Sequence, residues 1–100
     1  MVRQFMNMKK YEIKYLPKAD EDILKLQKAG DKQALKKLDK LIDELEIHPE
    51  TGTGHPERLK HCTGNRWSRR ITEKHRLVYE IFEEVVTVEI IQTYGHYDDK

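Results

Sequence analysis

Two amphipathic helical patterns fill the first half of the chain. Apolar residues recur every three or four positions between Pro17 and Gly30, two residues that are typical of the beginning and the end of a helix. A longer stripe follows Asp31, a candidate helix cap, and ends before Pro49. Its apolar residues are Ala34, Leu35, Leu38, Leu41, Ile42 and Leu45. The short link between the two segments predicts an antiparallel helical hairpin.

Segments with alternating or β-branched residues predict strands on both sides of this hairpin. One strand is predicted before it, at residues 11–16, and four after it, at residues 56–61, 67–72, 76–82 and 85–94. The order β-α-α-β-β-β-β favours an α+β domain, in which the helical hairpin packs on one face of a largely antiparallel sheet of about five strands. We interpret the helical stripes as core, because they are too short for a coiled-coil seam.

Length and composition indicate one globular domain. The 100 residues include 19 Lys or Arg and 18 Asp or Glu, and this near balance argues against a nucleic-acid binder that acts through net charge alone. We expect the domain at residues 11–97, preceded by a flexible leader at 1–10 and followed by a C-terminal extension at 98–100. Met6 and Met8 are also possible starts.

The same composition indicates a cytoplasmic protein. No apolar run approaches the length of a membrane span, and the N-terminus lacks the apolar core of a signal peptide. Cys62 is the only cysteine, which excludes an internal disulfide and suits a reducing compartment. We interpret Cys62 as chemically passive, and no Cys/His spacing matches a structural zinc site.

Positive charge is concentrated between residues 55 and 79, a segment that we call the basic stretch. It contains seven Lys or Arg and two Glu, a net charge of +5 in a chain whose total is +1. Such a density implies a polyanionic partner. Its strand-like pattern predicts that the charges are held on a rigid sheet, where Arg69 and Arg70 could form an exposed strand face or bind an acidic peptide.

Three ionisable residues on or beside the predicted sheet could cleave a phosphodiester without a metal. The carboxylate of Glu57 could take the proton of a ribose 2′-hydroxyl, the guanidinium of Arg76 could hold the phosphate, and the imidazole of His96 could protonate the leaving oxygen. An aromatic residue such as Tyr97 or Trp67 could stack on an unpaired base.

Residue types alone leave plainer interpretations open. Glu57 could be a solvated loop acid paired with Arg58 or Lys60, and Trp67 is more often a core residue than a stacking platform. His75, in a predicted turn, is expected to be solvated.

Longer motifs in the second half of the chain carry a resemblance to a known family. They are Pro56-Glu57-x-Leu59-Lys60-His61, Gly64-x-x-Trp67-Ser68-Arg69-Arg70-Ile71-Thr72-Glu73-x-His75-Arg76-Leu77-Val78-Tyr79, and Tyr94-x-His96-Tyr97. This pattern closely resembles the YoeB (Txe) branch of the RelE-type toxins of bacterial toxin–antitoxin modules. The dense match covers residues 49 to 97, and the first half agrees in pattern and length.

The resemblance implies a RelE-like fold and a specific activity. Family members are ribosome-dependent endoribonucleases that cut messenger RNA in the ribosomal A site without a metal or other cofactor, and so inhibit translation. The family's general base falls on Glu57, its phosphate-binding arginine on Arg76, and its general acid on His96. The residues expected to grip RNA or the ribosome are Lys60, Arg69, Arg70 and Tyr97.

The resemblance also implies partners. Family members commonly form homodimers, and a cognate antitoxin with an acidic tail wraps the toxin. Two alternatives remain: a non-catalytic inhibitor of DNA gyrase on the same fold, as in ParE-type toxins, and a plain RNA-binding protein. The leader and the terminal Asp98-Asp99-Lys100 depart from the family pattern.

Overall fold

The computed structural model describes residues 10–96, which form two helices and five strands. The helices are α1 (Pro17–Lys28) and α2 (Lys32–Leu45). The strands are β1 (Glu12–Tyr15), β2 (Glu57–Arg58), β3 (Arg66–Arg70), β4 (Arg76–Phe82) and β5 (Thr87–Gln92). The predicted order β-α-α-β-β-β-β is therefore confirmed. Almost all of the expected leader, Tyr97 and the C-terminal extension lie outside the described residues.

Local signals in the sequence define the helical hairpin as predicted. Pro17 occupies the first turn of α1, where its missing N–H breaks no helical hydrogen bond. Gly30 lies in the connection between the two helices and has φ +69°, a conformation that glycine adopts without steric cost. Asp31 then caps α2, because its side chain accepts a hydrogen bond of 3.2 Å from the Ala34 N–H.

The first and the last strand are neighbours in the sheet, whose strand order is β1-β5-β4-β3-β2. β1 runs parallel to β5, and every other neighbouring pair is antiparallel. The chain that follows β5 therefore leaves the sheet beside the beginning of β4, because antiparallel neighbours exchange ends.

The core lies between the helices and one face of the sheet. Alternate residues of β4 point toward the helices, as period-two strand geometry requires. This buried cluster includes Leu77, Tyr79 and Ile81 of β4 and Leu38 and Leu41 of α2. Burying each aliphatic side chain contributes about 1.5–3 kcal/mol, so the apolar face of the sheet is strongly specified. In the part of the chain that the structure describes, no helix is both long enough and apolar enough to cross a membrane.

β1 is one residue shorter at each end than predicted, and larger differences occur in β2, β3 and β5. β2 has two residues rather than six, although Leu59 donates one further backbone hydrogen bond to Arg66. β3 ends at residue 70, because the next two N–H groups both donate to the His75 carbonyl in a tight turn. β5 begins at residue 87, because a short 3₁₀ turn, Glu83–Val85, precedes it and Val86 has φ +46°.

Candidate active site

Glu57 and Arg76 lie on the same face of the sheet, two strands apart. Glu57 of β2 is paired with Ser68 of β3, and paired residues of neighbouring strands point to the same face. One strand further, Arg76 Nη1 donates a hydrogen bond of 3.3 Å to Ser68 Oγ. Ser68 is buried and Glu57 is exposed, so the Glu57 carboxylate is accessible on the strand next to the Arg76–Ser68 hydrogen bond.

Glu57 forms none of the ion pairs found between described residues. Arg58, one candidate partner, donates instead to the Gly64 carbonyl at 3.4 Å. The interpretation of Glu57 as a loop acid paired with its neighbours therefore gains no support from the structure. Its exposed carboxylate lies on the face of the sheet opposite the helices.

Arg70 and Arg76 are direct neighbours across the β3–β4 ladder. Like charges in opposite positions of a sheet destabilise it slightly, and an anion bound between them would remove that repulsion. Arg70 and Lys60 are exposed, as predicted for residues that grip a polyanion, and Arg76 is partly buried. The two arginines thus define a candidate phosphate-binding position on the same face as Glu57.

The segment that follows β5 brings His96 beside Arg76. Arg76 N donates a backbone hydrogen bond of 2.9 Å to the Gly95 carbonyl. Gln92 Nε2 donates to the His96 carbonyl at 3.1 Å, which turns the chain back toward the end of β5. The imidazole of His96 is exposed. Arg76 therefore links the three predicted residues. Its guanidinium bonds to Ser68, which is paired with Glu57, and its backbone N–H bonds to Gly95, which precedes His96.

The prediction that Arg69 is an exposed RNA-binding residue is wrong. Its side chain is completely buried, because strand alternation directs it toward the helices while Arg70 points away. The guanidinium donates five hydrogen bonds. The acceptors are Tyr79 Oη (3.1 Å), Glu44 Oε1 (2.8 Å) and the carbonyls of Thr53 (3.3 Å), His48 (2.6 Å) and Thr51 (2.7 Å).

Arg69 instead fixes the loop that leads into the strand of Glu57. Two glycines allow this loop to approach closely: a Cβ on Gly52 would lie 2.4 Å from Glu44 Oε1, and one on Gly54 would lie 2.9 Å from the Arg70 carbonyl. The glycines were the only signal of this packing in the sequence. Because residues 48 to 54 are tied to the core, the start of β2 is also held in place.

Hydrogen bonds and neighbouring charges oppose the effect of burial on the pKa values of Glu44 and Tyr79. Burial alone would raise the pKa of Glu44, but hydrogen bonds from Thr53 and the charge of Arg69 outweigh it and lower the pKa below the ordinary value. Burial also raises the pKa of Tyr79, although the neighbouring Arg69 partly opposes the rise. The cluster is therefore an ion pair between a fully buried guanidinium and a carboxylate whose side chain is 24% exposed, and hydrogen bonds satisfy the other donors of Arg69.

The expectation that His75 is solvated is also wrong. The ring is buried and accepts a hydrogen bond of 2.9 Å from the Gly95 N–H through Nδ1. Trp67, by contrast, packs against the core as the plainer interpretation held, and its Nε1 donates to Asn65 Oδ1 at 2.8 Å. No pattern in the sequence distinguished His75 from an exposed turn residue.

A surface hollow of about 430 Å³ lies at the end of β2. It is lined by Arg58, Leu59, Lys60 and Cys62. Within residues 10–96, no group of three or more His, Cys, Asp or Glu side chains is placed to hold a metal ion. The accessible chemistry of this region is thus that of a carboxylate, an imidazole and several cations.

Comparison with solved structures identifies the class to which the fold belongs. A RelE protein from Pyrococcus horikoshii, in a complex with RelB, superposes on 86% of this chain and 94% of its own with a TM-score of 0.69, at 16% identity. This likeness shows the fold alone: two helices packed on a five-stranded, mostly antiparallel sheet, as in RelE-type toxins.

Sequence comparison narrows the class to one family. A profile described as "YoeB-like toxin of bacterial type II toxin-antitoxin system" matches residues 15–97. Toxin YoeB of Escherichia coli (strain K12) is 45% identical over 58 residues, which are 58% of this chain and 69% of that protein. Toxin RelK of Mycobacterium tuberculosis is 37% identical over 76% of this chain and 88% of its own length. The chain belongs to the YoeB-like toxin family.

Solved structures agree with this assignment. A YoeB/ParE toxin from Agrobacterium tumefaciens is 32% identical, covers 86% of this chain and 99% of its own, and has a TM-score of 0.78. The YoeB dimer of Staphylococcus aureus is 33% identical over 88% of this chain and 99% of its own, with a TM-score of 0.75. YoeB of the same species also occurs in a heterotetrameric YoeB-YefM toxin–antitoxin complex, with a TM-score of 0.73 and 33% identity over 87% of this chain and 98% of its own.

Proposed function

We propose that this toxin is a ribosome-dependent endoribonuclease that cuts messenger RNA in the ribosomal A site and so inhibits translation. The observation that carries the proposal is the arrangement around Arg76. Its guanidinium bonds to the residue opposite Glu57, and its backbone N–H bonds to the residue before His96. Glu57 and His96 are thus each linked to Arg76 through one intervening residue, which supports their proposed roles as base and acid on either side of a phosphate ligand.

The proposed reaction is an attack of the ribose 2′-hydroxyl on the neighbouring phosphorus. Glu57 accepts the 2′-proton while the 2′-oxygen forms a bond to phosphorus, and the bond from phosphorus to the 5′-oxygen breaks. His96, protonated beforehand, donates its proton to that leaving oxygen. The products are a 2′,3′-cyclic phosphate and a 5′-hydroxyl. Arg76 stabilises the negative charge that builds up on the phosphoryl oxygens.

Cations around this centre hold the RNA or the ribosome in the proposal. Lys60 and Arg70 are exposed beside Glu57 and Arg76, where they would contact phosphates. Tyr97, which follows His96 in the chain, is proposed to stack on an unpaired base. Arg69 is excluded from this set because it is buried. The mechanism requires neither a metal nor another cofactor.

We also propose that this toxin is cytoplasmic and binds a cognate antitoxin with an acidic tail. It would assemble as a homodimer or a toxin–antitoxin hetero-oligomer. The YoeB dimer and the YoeB-YefM complex of S. aureus support this assembly, and the basic stretch offers complementary charge to an acidic peptide. Ribosomes and messenger RNA, the proposed substrates, lie in the same compartment.

The decisive experiment compares the wild type with Glu57→Gln on ribosomes programmed with a defined message. Removing the base should lower the cleavage rate about 10²–10⁴-fold without changing the melting temperature, because Glu57 is exposed. Primer extension locates the cut. Glu73→Gln is the matched control, because Glu73 is the other acid of the basic stretch and is also exposed.

Three results would contradict the proposal. Wild-type cleavage by Glu57→Gln would refute the base assignment, and equal cutting of naked RNA would refute the A-site mechanism. Growth arrest without any RNA cleavage would instead favour the gyrase-directed alternative.

A further inference from the structure

We propose that His75 is a positioning residue for the general acid, because it holds the backbone that carries His96 at a fixed place beside Arg76. The inference rests on the proposed function, since it assigns a role to His96. It concerns the segment after β5, residues 93–96, which has no place in the strand ladder and must be held by other contacts.

Both polar backbone atoms of Gly95 bond to two consecutive residues at the start of β4. Its N–H donates to His75 Nδ1 at 2.9 Å, and its carbonyl accepts from the Arg76 N–H at 2.9 Å. Gly95 has φ +81°, so the chain reverses direction just before His96. One side chain and one backbone group thus fix the two peptide groups on either side of the Gly95 Cα, just before the proposed acid.

The hydrogen-bond direction defines the form of the imidazole. A backbone N–H can only donate, so Nδ1 of His75 carries no proton, and in the neutral ring the proton is on Nε2. Nε2 faces Asp31 Oδ2 at 4.0 Å, and the other oxygen of Asp31 caps α2. The Gly95 N–H thus orients the ring, whereas Asp31 lies near the other ring nitrogen beyond hydrogen-bond distance.

Further contacts hold the same segment from its outer side. The ring of Tyr94 lies 4.5 Å from that of His75, centroid to centroid, and Lys25 Nζ lies 5.3 Å from the Tyr94 centroid. At the beginning of the segment, Thr93 N donates to the buried carboxylate of Asp22 at 3.1 Å. His75 is the only one of these side chains that bonds directly to the residue preceding His96.

Burial separates the role of His75 from catalysis. Its side chain is 9% exposed, so it does not reach an RNA on the open face, whereas His96 is exposed. A general acid acts only when it is within hydrogen-bond reach of the leaving oxygen, and a displacement of about 1 Å can cost on the order of 10² in rate. Loss of the His75–Gly95 bond should therefore slow proton donation without weakening RNA binding.

The test compares three substitutions of His75 that differ in one acceptor atom. His75→Asn keeps an oxygen near the place of Nδ1, His75→Gln moves the acceptor farther out, and His75→Leu fills the space without one. Single-turnover cleavage at saturating ribosomes should fall about 10–10²-fold for Leu and Gln, whereas Asn should retain most of the wild-type rate. The half-saturating ribosome concentration should not change.

A substrate with sulfur in place of the scissile 5′-oxygen distinguishes positioning from a general structural defect. A thiolate leaves without prior protonation, so a defect confined to the general acid should disappear with this substrate. His75→Leu and His96→Ala should then cleave nearly as fast as the wild type. Amide hydrogen exchange at Gly95 should be faster in His75→Leu and Gln than in the wild type and His75→Asn.

Two outcomes would overturn the inference: a wild-type rate for His75→Leu on the normal substrate, or a defect that the sulfur substrate does not relieve. If His75→Leu does not fold, equal cleavage rates of His75→Asn and His75→Gln on the normal substrate would overturn the inference instead. Failure of the proposed function is recognised separately, because Glu57→Gln and His96→Ala would then cleave the normal substrate at the wild-type rate.

Discussion

Arg69 and Arg70 are consecutive residues of β3 with opposite environments. The side chain of Arg69 is completely buried on the face of the sheet that packs against the helices, and it donates five hydrogen bonds. Arg70 points to the other face, is exposed, and lies opposite Arg76. A shift of one position along a strand thus changes an arginine from a part of the core into a candidate ligand of phosphate.

The comparison shows how one sheet can use positive charge in two ways. A buried guanidinium stabilises the fold only when its donors are all matched, as here by Tyr79, Glu44 and three loop carbonyls. An exposed guanidinium needs no internal partner, and its donors remain available to an anion. The two faces of β3 therefore separate stability from binding, and three predictions test this separation.

The largest effect is expected for Arg69→Met. It should lower the free energy of unfolding by about 3–5 kcal/mol, because the Glu44 carboxylate and the loop carbonyls lose their buried donor. Urea unfolding at low temperature measures the change. Arg69→Lys should recover part of the loss, since it restores the charge without the planar set of donors. A loss below about 1 kcal/mol would contradict the assignment of Arg69 to the core.

A smaller effect is expected when acid weakens the Arg69–Glu44 pair. The pKa of Glu44 in the folded protein is lowered, so its contribution to stability is complete above the ordinary value of 4.5 and is lost as the pH falls through the folded pKa. The urea midpoint, followed from neutral pH to below 4.5, should therefore decrease. Glu44→Gln should be less stable at neutral pH and show a weaker acid dependence. An unchanged slope in this variant would refute the linkage.

The smallest effect on stability is expected for Arg70→Met. The free energy of unfolding should stay within about 0.5 kcal/mol of the wild type, because the side chain is exposed. Binding to ribosomes should weaken, and the slope of log affinity against log salt should fall by about one, as expected for one lost phosphate contact. Salt titration of ribosome binding measures both. A stability loss equal to that of Arg69→Met would remove the difference between the two arginines.

Most of the fold could be predicted because its signals are local. Pro17, Gly30 and Asp31 mark the helix ends as expected, and β4 has the predicted bounds. β5 could not be delimited, because its β-branched residues extend into a 3₁₀ turn whose ends depend on contacts with β1 and the preceding strand. Local propensity identifies an element, and tertiary hydrogen bonds decide where it ends.

The candidate site could be predicted only in part. Glu57, Arg76 and His96 were identified from their chemistry and from the resemblance to the family, and their catalytic roles remain predictions. The burial of Arg69 and His75 was not foreseen, because a charged residue in a basic stretch is normally solvated. Both are buried by segments distant in sequence: Arg69 by α2 and the following loop, and His75 by the chain after β5.

By itself, the sequence determined the order of the elements, the faces of the helices and the concentration of positive charge between residues 55 and 79. These features depend on periodicity and on capping residues, which act over a few positions of the chain. The tertiary structure alone decided which of two adjacent arginines is buried and which backbone groups hold His96. Those choices depend on the sheet order β1-β5-β4-β3-β2, which joins residues far apart in the chain through hydrogen bonds that no local pattern encodes.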